Sequence, residues 1–172
     1  MSRLHLIQEE VRMRVNEITS AHRDWPCRKG CDECCRRLAS IPRVSLAEWQ
    51  AISDAIEALP AETAESARQR IRDTVGARRP VVCPLLDTRS GSCLIYEARP
   101  VACRTYGFYA ERERVLGCSR IEAISHQSQD VIWGHHLALE GQLGTLGSAR
   151  ELPDWLAAGS SDSPSVREDQ AP

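Results

Sequence analysis

Eight cysteines carry the chemistry open to this chain of 172 residues. Four of them, Cys27, Cys31, Cys34 and Cys35, fall within nine positions in the run CRKGCDECC; Cys83, Cys93, Cys103 and Cys118 follow. A single thiol usually behaves as a small buried hydrophobe, which does not explain four of them packed among Arg28, Lys29, Asp32 and Glu33. Ligands explain the cluster better. Thiolates about two to four residues apart in a tight turn match tetrahedral zinc, where separated pairs complete one ion. Cys-rich runs of similar spacing also hold iron–sulfur clusters, and spacing alone leaves both open. Gly30, just before Cys31, stands where a metal knuckle needs a positive φ or a close backbone approach to sulfur.

Disulfides are the competing use of such cysteines. Residues 1–25 are charged throughout and lack the continuous apolar stretch of a signal peptide, and runs such as VVCPLL are too short to span a bilayer. The expectation is a soluble, cytoplasmic protein with reduced thiols, in which clustered cysteines bind metal or do redox chemistry. A net charge of -2 and a pI near 6.2 exclude the basic footprint of a nucleic-acid binder.

Adjacent Cys34 and Cys35 diverge by about 100° on a helix or about 180° on a strand, so one ion would be hard for both to reach. The pair therefore points to two adjacent sites, a multi-metal cluster, or one ligand beside a reactive thiol. Arg28, Lys29, Arg36 and Arg37 flank the cluster; they read either as a solvated face or as cations that offset thiolate charge and admit an anion. His126, His135 and His136 tempt a metal assignment, yet eight thiols already saturate two tetrahedral sites.

The elements that must position these thiols follow from periodicity. Leu4, Ile7, Val11, Val15 and Ile18 form one stripe of a helix over residues 3–22, capped by Ser2 and stopped at Trp25-Pro26. Residues 38–44 read as extended. Val44, Ser45, Glu48 and Trp49 form a staple and capping box for a helix running to Pro60. A second helix over 61–75, with Ala64, Ala67, Ile71 and Val75 on its thin apolar face, makes a helical hairpin with it.

Then the texture changes. Val81–Leu86 and Cys93–Tyr96 read as strands of a hairpin closed around Ser90-Gly91, and Pro100 opens a short helix carrying Cys103. Cys83, Cys93 and Cys103 fall ten apart, so strand, strand and helix each bring one thiol to a common point. Residues 110–117 suit another hairpin, and 119–139 a helix. From residue 143 the chain is rich in Gly, Ser and Pro and reads as a flexible tail, with Leu152, Trp155 and Leu156 either docked on the domain or offered to a protein partner. The expected fold is α+β and mostly helical: one metal-stabilised domain over 1–142, with a short hairpin and helices at both ends.

The pattern CRKGCDECC, then CPLL, then GSCLIYEARPVACRTYG, then Cys118, resembles the YkgJ-like cysteine-cluster family, the CxxCxxCC zinc- or iron-chelating domain, over residues 25–120. Three residues separate Cys27 from Cys31 where the family pattern has two. The resemblance implies that all eight cysteines bind zinc or iron, with an iron–sulfur cluster among the options. Some relatives look like flagellin lysine N-methylases that use an iron–sulfur centre and S-adenosylmethionine. This chain has no Gly-rich nucleotide loop after a strand and few residues for a second domain, so that activity is not carried over.

Around the thiols, Arg99 and Arg104 are placed to donate to sulfur or to an anion, and Tyr96 and Glu97 to close the hairpin. Three functions compete: a metal- or cluster-binding protein with a metal-handling or accessory redox role, an iron–sulfur enzyme holding an anion on Arg99 and Arg104, and a zinc-structured interaction module.

Overall fold

The computed structural model describes residues 1–127 and 130–159. Helix α1, Arg3–Ala21, buries Leu4, Ile7, Val11 and Ile18, and Ser2 caps it by accepting the His5 N–H at 3.2 Å. Past it, Trp25 turns inward to stack on Phe108, with ring centroids 5.9 Å apart, and to meet Trp133 at 5.5 Å. Helix α2, Glu33–Arg36, is a single turn carrying Cys34 and Cys35.

Strand β1, Arg43–Val44, leads into helix α3, Leu46–Glu57, whose capping box is complete: Ser45 and Glu48 each bond the other's backbone N–H. Helix α4, Ala61–Arg72, folds back on α3 and buries Ala64, Ala67 and Ile71. Val75 does not join that face. The helix ends at Arg72, Gly76 turns the chain at φ 69°, and Val75 is 71% exposed.

Between α4 and residue 118 the regular elements are short. Strands β2, Leu86–Asp87, and β3, Ser92–Cys93, pair antiparallel with Leu86 opposite Cys93. The expected hairpin is thus present but far shorter than its apolar runs. Pro84 has no N–H to give a ladder, Val81 bridges to Leu38 instead, and Tyr96–Ala98 wind into a 3-10 turn. Helix α5, Val101–Thr105, follows Pro100 and carries Cys103 as expected. Strands β4, Tyr109–Glu111, and β5, Arg114–Val115, form the second hairpin.

A continuous helix over 119–139 is not what forms. Helix α6 spans Ser119–Gln127, strand β6, Gly134–His135, adds parallel to β4, and helix α7 spans His136–Gly144. Strand β6 packs tightly on β4. Gly134 crosses the Tyr109 ring so closely that a Cβ there would lie 2.5 Å from it, and His135 restarts the helix by accepting the Ala138 N–H on Nδ1.

Residues 150–158, expected in the tail, are folded onto the domain. Strand β7, Arg150–Glu151, pairs antiparallel with β1, and helix α8, Leu152–Ala158, buries Leu152 and Trp155, whose Nε1 donates to the Val44 carbonyl at 2.9 Å. The expected disorder beyond residue 159 lies outside the described residues.

The buried side chains fall into two cores. One gathers α3, α4 and α8 around Ile52, Ile56, Ile71 and Trp155; the other gathers α1, α5 and the β4 sheet around Val11, Trp25, Val101 and Ile121. Glu48 ties them together. Its Oε2 accepts from Ser45 in the capping box, while Oε1 accepts the Val101 N–H at 3.0 Å, 53 residues away. Among the described residues no helix is long and apolar enough to cross a membrane.

Candidate metal centre

The eight thiols lie along the seam between the two cores. Cys83 and Cys93 pack against the α3 core, and Cys27 and Cys118 against the α1 core. Between them opens a cavity of about 300 Å³ walled by Cys31, Cys34, Cys35, Cys83, Cys93 and Cys103. No thiol is in a disulfide, and each is partly buried.

Local structure brings them there. Gly30 takes φ 90°, and the Cys31 N–H donates to the Arg28 carbonyl at 2.9 Å to close the knuckle. The β2–β3 turn leans on that knuckle: a Cβ on Gly91 would come 3.1 Å from Asp32 Oδ2 and 3.4 Å from the Gly30 carbonyl. Arg36 holds the two together, binding Asp32 at 2.6 Å and the Thr88 carbonyl at 3.2 Å. On the other side the Cys83 N–H donates to the Cys35 carbonyl at 2.7 Å. Gly107 has a role the sequence reading missed. At φ 90° it passes under Cys27, and a Cβ there would lie 2.3 Å from Sγ; the signal was its place directly after the CRTY run of the motif.

Adjacent Cys34 and Cys35 do not diverge as far as helix geometry alone implied. Their Sγ atoms are 3.9 Å apart. With metal–sulfur bonds near 2.3 Å, the sulfur–sulfur edge of a tetrahedral site is about 3.8 Å, so both can face one ion.

Burial and mutual proximity favour neutral thiols. Cys27 is pushed up to about 12, first by burial and then by Cys31, Cys118 and Cys34. Cys103 also rises to about 12, chiefly by burial, and burial raises Cys93. Contact with Cys35 and then burial raise Cys34. For Cys35, the Cys34 contact lowers the value, but the Cys83 hydrogen bond and burial outweigh it and leave the thiol at about 12. Burying unpaired thiolates is costly, so a cation is what would draw off these protons.

The other expected site residues divide. Tyr96 and Arg99 line the cavity. Arg99 stacks on the Tyr96 ring with its guanidinium carbon 3.7 Å from the centroid, and its Nε donates to the Tyr96 carbonyl at 3.1 Å. Arg104 is outside: it donates to the carbonyls of Arg99 and Glu97 and so braces the loop between β3 and α5. The histidines sit elsewhere. His126 is exposed beside the β4–β5 hairpin, His135 caps α7, and His136 lies 3.4 Å from Glu140.

Donor chemistry decides what the seam fits. The cavity wall holds six thiols, two arginines and no carboxylate or imidazole, a set that suits zinc or iron in sulfur coordination and not calcium or magnesium. Among the described residues no three Cys, His, Asp or Glu side chains already converge as a ligand set. The six thiols line the cavity wall instead.

A family model for a zinc- or iron-chelating domain, CxxCxxCC, matches residues 26–128, which is more than half of the chain. The chain belongs to the CxxCxxCC family. No curated protein and no solved structure matches it. The matched span of this CxxCxxCC domain begins beside Cys27 and ends in α6 and the residues just after it. It therefore takes in every thiol of the seam but leaves out all of α1, α7 and α8, which close the two cores around it.

Proposed function

We propose that this CxxCxxCC domain binds metal, zinc or iron, through Cys27, Cys31, Cys34, Cys35, Cys83, Cys93, Cys103 and Cys118, and that its role is metal handling or accessory redox chemistry. One observation supports this above the rest: six thiols from Cys31 to Cys103 line one cavity whose wall holds no carboxylate or imidazole. The bound ion supplies a soft Lewis acid or an electron-accepting centre. The chain's own residues do the remainder. Arg99 and Arg37 at the cavity wall offset the charge of the thiolates, Gly30 supplies the positive φ of the Cys31 knuckle, and Gly107 lets the backbone pass under Cys27 Sγ.

Metal analysis with a visible spectrum on protein purified without oxygen tests the reading. Iron and acid-labile sulfide in about equal amounts would direct work to redox chemistry; about two zinc ions per chain would direct it to metal transfer or structure. A protein that takes up neither would sink the proposal.

A second reading, an enzyme acting on a small anion beside the centre, is favoured by the cavity itself. Its volume of about 300 Å³ exceeds what a bare ion needs and reaches the lower range of ligand pockets. Arg99 has no carboxylate partner among the described residues, and its face is fixed on Tyr96. The interaction-module reading has less support, because Trp155, its intended anchor, is spent inside the α3 core.

A further inference from the structure

An ion held among sulfurs has no use for the rest of the cavity wall, and that remainder is mostly hydrocarbon. Leu38, Pro42, Leu85, Ile95 and Leu152 line the cavity together with the six thiols, and Leu85, Ile95 and Leu152 are otherwise buried. Such a surface is wetted at a cost and favours an apolar occupant. Leu152 comes from α8, beyond the matched residues 26–128, so the cysteine motif alone does not supply this part of the wall.

Two cations share the wall, each next in the chain to an apolar residue that also lines it: Arg37 before Leu38 and Arg99 before Pro100. The guanidinium of Arg99 is held in place by the Tyr96 ring, 3.7 Å from its central carbon, and by the bond from Nε to the Tyr96 carbonyl at 3.1 Å. Its two Nη groups have no acceptor among the described residues, and the exposed side chain of Arg37 has no hydrogen bond or ion pair among them either. A fixed guanidinium fork matches a carboxylate. An inorganic oxyanion would leave the hydrocarbon wall uncovered, and a multiply charged one would be repelled by the thiolates of the loaded site. We propose that the cavity binds a small monocarboxylate with an apolar body, about six to ten heavy atoms in all, its carboxylate on Arg99 and its body against Leu38, Pro42, Leu85, Ile95 and Leu152. The proposal rests on the second reading above, an anion beside the centre, and names the class of that anion.

Hexanoate, titrated calorimetrically into the full-length chain as purified without oxygen, probes the pocket. It should bind at least about tenfold more tightly than acetate, which keeps the charge and lacks the body, and about tenfold more tightly than hexanamide, which keeps the body and lacks the charge. Arg99→Gln should cost about tenfold for hexanoate and leave hexanamide unchanged. Equal affinity for hexanoate and acetate would overturn the apolar wall, equal affinity for hexanoate and hexanamide would overturn the arginine contact, and no binding of hexanoate would overturn the site as a whole. These comparisons use the unaltered chain, so misfolding of a variant cannot mask the answer. Metal analysis of the same sample keeps the readings apart. A chain that holds zinc or iron and ignores hexanoate overturns this inference alone, whereas a chain that binds hexanoate and takes up no metal overturns the metal-binding reading. Release of the metal by hexanoate would show the acid competing for the ion instead of sitting beside it, and would also overturn the proposal.

Discussion

The two cores that meet at the cysteines are built in different ways. Around α3 and α4 the core comes from capped helices close in sequence, with Ile52 and Ile71 fully buried and a capping box at its entrance. Around α1 the core is closed by pieces from far apart: Trp25, Phe108 and Trp133 meet only in the folded chain. Each core nevertheless leaves thiols at the shared edge where an ordinary core would place aliphatic groups. The difference teaches where order comes from. Local helix formation and apolar burial account for the α3 core, whereas the seam has only short strands and is expected to depend on what its sulfurs bind.

Removing the metal is the strongest way to separate the two regions. A structural zinc contributes about 10–16 kcal/mol in apparent binding free energy. Chelation should expose residues 83–118 to proteolysis while the α3–α4 hairpin keeps its helical signal. Cleavage and circular dichroism unchanged after chelation would show that the seam stands without metal.

Raising the pH should act on the same region with opposite signs in the two states. In the metal-free chain Cys27, Cys35 and Cys103 sit at about 12 instead of the ordinary 9.0. Their protonated forms therefore favour the fold, fully below pH 9, and that stability is lost as pH climbs towards 12. Metal uptake releases those protons, so apparent affinity should climb with pH wherever the thiols are still protonated, from about pH 6 upward. A metal affinity flat between pH 6 and 9 would mean that the thiols are ionised before the metal arrives.

Substitutions at four positions sharpen the comparison further. Ile52→Ala should cost about 2–5 kcal/mol in urea unfolding, with or without metal, because it empties a site remote from the seam. Glu48→Ala removes both the capping box and the link to Val101; about 1–3 kcal/mol is expected, and Glu48→Gln, which keeps an acceptor for Val101, should cost less. Gly107→Ala, strained at φ 90° and in collision with Cys27 Sγ, should cost about 1–2 kcal/mol and weaken metal binding as well. Gly141→Ala is the smallest effect and has the other sign. It lies in α7 with open space around it, so about 0.5–1 kcal/mol of stabilisation is expected, with metal affinity untouched.

Much of this was readable from the chain. The stripe of α1, the Ser45–Glu48 box, the short helix after Pro100 and both hairpins appear where periodicity and turn residues put them, because each is decided within a few residues. The expected helix over 119–139 stops at Gln127, and Gly134, in strand β6, lies against the ring of Tyr109, twenty-five residues earlier, where a side chain would not fit. The segment around Leu152–Leu156, docked or free on the sequence reading, is docked. Its small apolar cluster finds β1 and the α3 core, over a hundred residues away. At the site, the identity of the thiols and of Tyr96 and Arg99 was legible, while the diversion of Arg104 to the carbonyls of Glu97 and Arg99 was not.

By itself the sequence determined the chemistry: eight clustered soft donors in a mostly helical chain whose motif marks it for zinc or iron. The tertiary structure decided the arrangement. Which thiols share a wall, that Cys34 and Cys35 stand one tetrahedral edge apart, and that two cores meet over them depend on contacts between residues distant in the chain. Helix and turn preferences act over a few positions, and sulfur carries no local signal of the partner it will face across a seam.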